Sequence, residues 1–174
     1  MTIFNRTDLA KHFSELGFKV GAEIGVDAGV YSEILCQENP KLKLYSIDIW
    51  DLGAGGSRQM RLRRYAEAKA RLAPYKTQLI RKYSLEAVND FTNNSLDFVY
   101  IDGGHRFDDV MQDIIGWTKK VKKGGIISGH DYVPSARDVV TAVDAYVKCH
   151  GLRLQLTTDP NEPFSWWFTK RWNI

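Results

Sequence analysis

Residues 19–32 read KVGAEIGVDAGVYS, and the two halves of that stretch differ in kind. Lys19–Gly25 is a short β run, and Val30–Cys36 begins a helix. Gly25 and Gly29 straddle the turn between them. Glycines in such a turn let the backbone approach a ligand closely, while the new helix offers free N–H groups. The dinucleotide pattern GxGxxG is absent, because Val26 and Asp27 follow Gly25. Asp27 also sets negative charge where a pyrophosphate would sit. NAD is therefore disfavoured, and a ligand carrying positive charge is better matched. A purely structural turn is the competing reading of these two glycines taken alone.

Working outward, the same alternation continues to the end of the chain. Leu42–Ile49 (LKLYSIDI) reads as a strand, and Ser57–Leu72 is rich in the helix formers Arg, Ala, Met and Glu. Thr77–Lys82 is a short strand and Ser84–Phe91 a short helix. Leu96–Ile101 (LDFVYI) is a continuous apolar run of the kind buried on both faces of a parallel sheet. Phe107, Val110, Met111, Ile114, Ile115, Thr118 and Val121 recur at steps of three and four, which predicts a helix stopped by Gly124-Gly125. Ile126-Ile127-Ser128 starts another strand. Ser135-Ala136-Arg137-Asp138 resembles a capping box that opens a helix through Val147. Arg153–Thr157 and Phe164–Thr169 close the series as strands. Five β-then-α units followed by two strands predict an α/β sandwich with a mostly parallel sheet and helices on both faces. Ligands of such folds bind beyond the carboxyl ends of the strands.

With 174 residues the chain has the size of one ordinary domain over residues 1–174, and no Pro/Gly/Ser-rich linker divides it. Mean hydropathy is −0.33, and no apolar run approaches the ~20 residues needed to span a bilayer. No secretory signal is visible at the start, which predicts a soluble cytoplasmic protein without a membrane role. Cys36 and Cys149 form neither a disulfide framework nor a CxxC zinc site. Basic charge is concentrated at residues 58–76 and 119–123, and the remainder holds 13 basic against 20 acidic residues. One reading is a nucleic-acid face; the favoured one is solvated helix surface and lysines that complement a helix C-terminus.

The unusual residues lie just after the β runs. Ile47-Asp48-Ile49-Trp50 places an acid about 20 residues past the glycine turn, where a ribose diol is commonly held, with Ile49 and Trp50 able to pack on adenine. A carboxylate that merely caps the next loop is the alternative. Asp102-Gly103-Gly104-His105 follows the fourth strand, and Gly129-His130-Asp131-Tyr132 the fifth. Neighbouring strands stand about 5 Å apart, so Asp102, His130 and Asp131 are expected to share one mouth with His105 nearby.

Taken in order, EIGVDAG, LYSIDIW, LDFVYIDGGH and KKGGIISGHDY resemble class I S-adenosylmethionine-dependent methyltransferases. The similarity is to the small stand-alone group called methyltransferase family 24 and covers roughly residues 18–135. It implies a Rossmann-like three-layer sandwich whose seven-stranded, mostly parallel sheet ends in an antiparallel strand. It further implies S-adenosylmethionine as cofactor. Glu23, Gly25 and Gly29 correspond to the loop around its methionyl part, Asp48 to the ribose acid, and Ile49 to the adenine flank. Ser84 corresponds to the adenine edge, and Asp102 to the acid near the methyl-transfer centre. Gly104 departs from the pattern, since many relatives carry an acid or polar residue there.

The sulfonium supplies an activated methyl group, so the protein's task is in-line positioning and, for a hydroxyl acceptor, removal of a proton. His105 and His130, with Asp102, are the catalytic candidates; Asp102, His130 and Asp131 form a candidate set for Mg or another divalent metal. The loop 51–57 with Arg58 and Arg61 is a candidate lid. The expected acceptor is a small hydroxylated molecule such as a sugar, with a homodimer as a candidate way to complete an open site. A nucleic-acid methyltransferase using the basic 58–76 helix and a non-catalytic cofactor-binding domain are the alternatives.

Overall fold

Runs of five or six apolar and β-branched residues become the inner strands because both of their faces are covered. The computed structural model describes residues 3–50 and 57–172. Its elements are α1 (Arg6–Glu15), β1 (Val20–Ile24), α2 (Val30–Glu38), β2 (Lys43–Asp48), α3 (Arg58–Leu72) and β3 (Thr77–Arg81). There follow α4 (Ser84–Ala87, continued by a 3-10 turn over Val88–Asp90), β4 (Leu96–Ile101), α5 (Phe107–Lys120) and β5 (Val121–Gly129). The chain closes with α6 (Arg137–Cys149), β6 (Gln155–Leu156) and β7 (Trp166–Thr169).

One seven-stranded sheet runs in the order β3-β2-β1-β4-β5-β7-β6. β7 is antiparallel to both of its neighbours, and the remaining pairs are parallel. This is the expected Rossmann-like three-layer sandwich. The strand order reverses between β1 and β4, which opens a crevice at their carboxyl ends. The ends are set flush by a chain of backbone bonds. Gly25 N donates to Ile47 O (2.9 Å), Asp102 N to Ile24 O (2.7 Å) and His130 N to Ile101 O (3.1 Å).

Alternation along the strands feeds two cores. Phe98 and Tyr100 of β4 pack with α1 and α2, where Phe13 stacks on Phe98 at 4.3 Å. Val99 and Ile101 face the other layer with Ile114 and Trp117 of α5 and Val143 of α6. In β7, Trp166, Trp167 and Phe168 are all buried, as expected for a strand covered on both sides.

Three local expectations are corrected. The helix before β5 ends at Lys120, not at Gly124-Gly125, and Val121 already pairs with Leu96 of β4. Strand pairing in a buried slot outcompetes the helical stripe that Val121 extends. The capping box is not formed: α6 starts after Ala136, which makes no side-chain cap, and the Asp138 carboxylate accepts instead from Phe107 N (3.3 Å). The two closing strands are shorter than expected, at Gln155–Leu156 and Trp166–Thr169.

Candidate active site at the strand ends

The glycine turn works by close approach. Gly25 has φ +86°, and a Cβ there would lie 1.9 Å from the Asp102 carbonyl oxygen, so β1 and the end of β4 meet only because the side chain is missing. Gly29 (φ +77°) precedes α2, where a Cβ would crowd Ala68 of α3 at 3.2 Å. Glu23 is buried and accepts from Ser32 Oγ, which in turn lies 3.1 Å from Ser46 Oγ. Burial, with the nearby Asp102 and Asp48 charges, raises its pKa to about 8. Of these three residues only Gly25 lines the large cavity; Glu23 and Gly29 act behind it.

Asp48 organises the turn. Its Oδ2 accepts from Val26 N and Asp27 N, both at 2.8 Å, and its Oδ1 accepts from Trp50 N at 2.9 Å. Asp27 (φ +48°) and Trp50 (φ +35°) occupy the left-handed region that side chains rarely enter. Trp50 does not face the cavity beside Ile49. Its ring is buried against Tyr65 at 4.9 Å, and its indole N–H donates to Asp27 O at 2.8 Å.

A cavity of about 850 Å³ opens across the ends of β2, β1 and β4, within the size range of small-molecule sites. Ile24, Ile47, Ile49 and Leu85 give it apolar walls. Six carboxylates line it (Asp27, Asp48, Glu86, Asp102, Asp109 and Asp113), against the cations Lys82 and Arg106. That balance suits a ligand with positive charge. Gly104 also lines the cavity, and a Cβ on it would meet the Asp109 carboxylate at 2.8 Å, so an acid from α5 fills the space beside this glycine.

Ser84 and Ile49 line the cavity as expected, and Asp113 was missed. Ser84 Oγ donates to Asp113 Oδ1 and accepts from Trp117 Nε1 (2.8 Å). Asp113 is only 4% exposed, and burial raises its pKa to about 6. The signal for it lies in spacing: Asp113 falls three residues after Val110 and four before Trp117, on the buried face of α5.

Beside the cavity the ends of β4 and β5 bring four ionisable side chains together. His105 Nε2 lies 3.0 Å from Asp131 Oδ2 and 3.7 Å from Asp102 Oδ1. His130 Nδ1 lies 3.4 Å from Asp131 Oδ1 and 3.9 Å from Asp102 Oδ2. The Asp102 and Asp131 carboxylates raise the His105 pKa to about 10, and the two imidazoles hold Asp131 below the usual carboxylate range. Asp131 sits at φ +59°, the conformation that turns its carboxylate toward both rings. The donor atoms that converge within 4.8 Å of one another belong to Asp102, His105 and Asp131. His130, the imidazole that the sequence suggests for this set, lies deeper, with 11% of its side chain exposed and no hydrogen-bond partner at Nε2.

The expected lid, residues 51–56, lies outside the described residues. On the basic helix beyond it, Arg63 and Arg64 pair with Glu67, Arg64 also reaches Asp27 (3.4 Å), and Arg71 pairs with Glu33 (2.8 Å). Among the described residues no helix is long and apolar enough to cross a membrane.

The doubly wound sheet with an antiparallel β7 and an acid-lined crevice at its switch point defines a class I S-adenosylmethionine-dependent methyltransferase. The family profile described as "Methyltransferase domain", methyltransferase family 24, matches residues 22–132, and this chain belongs to that family. Solved structures share the fold at low identity. A provisionally assigned caffeoyl-CoA O-methyltransferase from Staphylococcus aureus is 15% identical with a TM-score of 0.70, covering 94% of this chain and 82% of that one. Cofactor-bound Rv0187 from MTB is 12% identical with a TM-score of 0.73, covering 95% and 79%. A precorrin-6y C5,15-methyltransferase from Geobacter metallireducens is 14% identical with a TM-score of 0.68, covering 94% and 87%. A 55-residue stretch is 33% identical to an uncharacterised protein of Sinorhizobium fredii, which is 32% of this chain and 6% of that protein.

Proposed function

We propose that this protein transfers the methyl group of S-adenosylmethionine to a hydroxyl of a small molecule. The observation that carries the reading is the cluster of Asp102, His105 and Asp131 beside the acid-lined cavity. In this reading Gly25 admits the methionyl end of the cofactor and Asp48 holds the ribose hydroxyls with the lone pairs left beyond its three backbone bonds. Ile49 packs against the adenine, and Asp102 stands between sulfonium and acceptor. Glu23 and Gly29 shape the turn from behind.

When bound, the cofactor supplies a methyl group already activated by the sulfonium charge. The chain's own contribution is orientation and proton removal. His105, with 55% of its side chain exposed and its Nε2 held by Asp131, is the imidazole accessible to an acceptor hydroxyl. His130 is packed beneath it and steadies the Asp102 and Asp131 carboxylates. Two carboxylates and an imidazole are also a donor set for a hard divalent ion such as Mg or Mn, which would lower the hydroxyl pKa. Pairing of the α3 arginines with Glu67, Asp27 and Glu33 leaves that helix with little free charge for a nucleic-acid backbone, which supports the small-molecule reading.

The test is methyl transfer from labelled cofactor to a panel of hydroxylated metabolites, with and without chelator. His105→Ala is expected to lower turnover by about 100-fold or more while the affinity for S-adenosylhomocysteine stays within about twofold. Undiminished turnover in that variant removes His105 from the chemistry. Activity that survives thorough chelation removes the metal. Tight cofactor binding without any labelled product favours a non-catalytic binding domain instead.

A further inference from the structure

The Asp113 carboxylate is the one group in the cavity that is almost fully buried and still has an unused oxygen. It is 4% exposed and lines the cavity from α5. Its Oδ1 takes the Ser84 hydroxyl proton, and no described residue donates to Oδ2. The direction of the Ser84 bond is fixed from behind. Trp117 Nε1 can only donate, and it points at Ser84 Oγ at 2.8 Å, so the hydroxyl hydrogen is turned toward Asp113. Ser84 is thereby committed to holding the carboxylate, and Oδ2 is left as an acceptor facing the cavity.

The space in front of Oδ2 has the shape of a slot. Gly103 forms one side, where a Cβ would stand 3.5 Å from Ile24 Cγ2 and 3.8 Å from Asp113 Oδ2. Leu85 adds apolar surface to the same cavity. A flat ring edge bearing a donor suits such a slot, because apolar walls cover its faces while the buried acceptor takes its N–H. We infer that Asp113 is a specificity residue of the cofactor site: its free oxygen accepts a hydrogen bond from the 6-amino group of adenine and rejects a 6-oxo purine. This rests on the methyl-donor reading above. Ser84, from its place beside Asp113, acts as a positioning residue.

Calorimetry with the purified chain tests it, using S-adenosylhomocysteine, S-inosylhomocysteine and the analogue with hydrogen at purine C6. The expected order is amino tightest, hydrogen weaker by about tenfold, and oxo weakest by about 30-fold or more, because O6 would face a carboxylate oxygen. Asp113→Asn sharpens the test. Ser84 must still donate to the amide oxygen, so the amide NH2 faces the slot, and the variant is expected to weaken the adenosyl form and strengthen the inosyl form. Equal weakening of both forms would move Asp113 to the methionyl end and overturn the inference. Unchanged discrimination in a folded variant would overturn it too. If the variant does not fold, the order of the three ligands on the wild-type chain decides, and 6-oxo binding as well as 6-amino sinks the inference. Failure of the wild-type chain to bind any of the three would instead sink the methyl-donor reading itself.

Discussion

The two rims of the sheet use the same residue types in opposite ways. At the rim where β4 begins, polar capacity is consumed in tying strands together. Asp97 accepts from Lys19 N (2.8 Å), Val20 N (2.9 Å) and Lys122 Nζ (2.6 Å), and Lys170 Nζ, buried, donates to Val121 O (2.6 Å) and Asn94 Oδ1 (3.0 Å). At the rim where β4 ends, Asp102, Asp113 and His130 each keep an atom or an edge that the protein does not use. Asp27, Trp50 and Asp131 hold left-handed backbone there. Stability has been concentrated at one end of the strands, and unfilled bonding capacity at the other.

The largest effect expected from breaking this contrast comes at Gly25. Gly25→Ala forces a Cβ onto the Asp102 carbonyl at a positive φ, and is expected to cost about 3 kcal/mol or more and to abolish binding of S-adenosylhomocysteine. Thermal denaturation and calorimetry would check both. Lys170→Ala sharpens the contrast from the other rim. Loss of its stem and two hydrogen bonds is expected to cost about 2–3 kcal/mol, measured by urea unfolding, with cofactor affinity unchanged. Altered affinity in the folded variant would show that the rims are not independent.

The smallest effect belongs to Glu23, which sits between them. Its pKa rises from 4.5 to about 8 on folding, so the stability it contributes is complete below 4.5 and is lost as pH climbs through about 8. The wild-type unfolding free energy should therefore fall over that window, and Glu23→Gln should flatten the decline, by on the order of 2 kcal/mol at pH 8. A wild-type stability that rises steadily from pH 5 to pH 8 would contradict the buried, protonated state.

Much of this was legible from residue order alone. Small glycine-punctuated β runs followed by helical stripes gave the layers, and acids placed just after β runs marked the rim. What escaped were choices made by packing at long range. Val121 fits the helical stripe of α5 as well as the edge of β5, and only its pairing with Leu96 decides. Trp50 follows an acid at a strand end, where a base-stacking ring is expected, yet Tyr65 from α3 draws it into the core. Asp113 is hidden for the converse reason: mid-helix acids usually face water, and its role depends on Ser84, 29 residues away, and on Trp117. His105 and His130 differ in depth, a property that sequence spacing does not encode.

The insertion of β7 between β5 and β6 also governs when the sheet can be finished. During synthesis the outer edge of β5 at Ile126–Gly129 has no neighbour until residues 166–169 leave the ribosome, some forty residues later. Through that interval a nascent chain displays an apolar edge beside the assembled parallel strands, and an open edge of this kind recruits other chains. Ribosome stalling before Trp166 should thus yield a species prone to pair with its neighbours, and supplying the β7 segment in trans should quench that association.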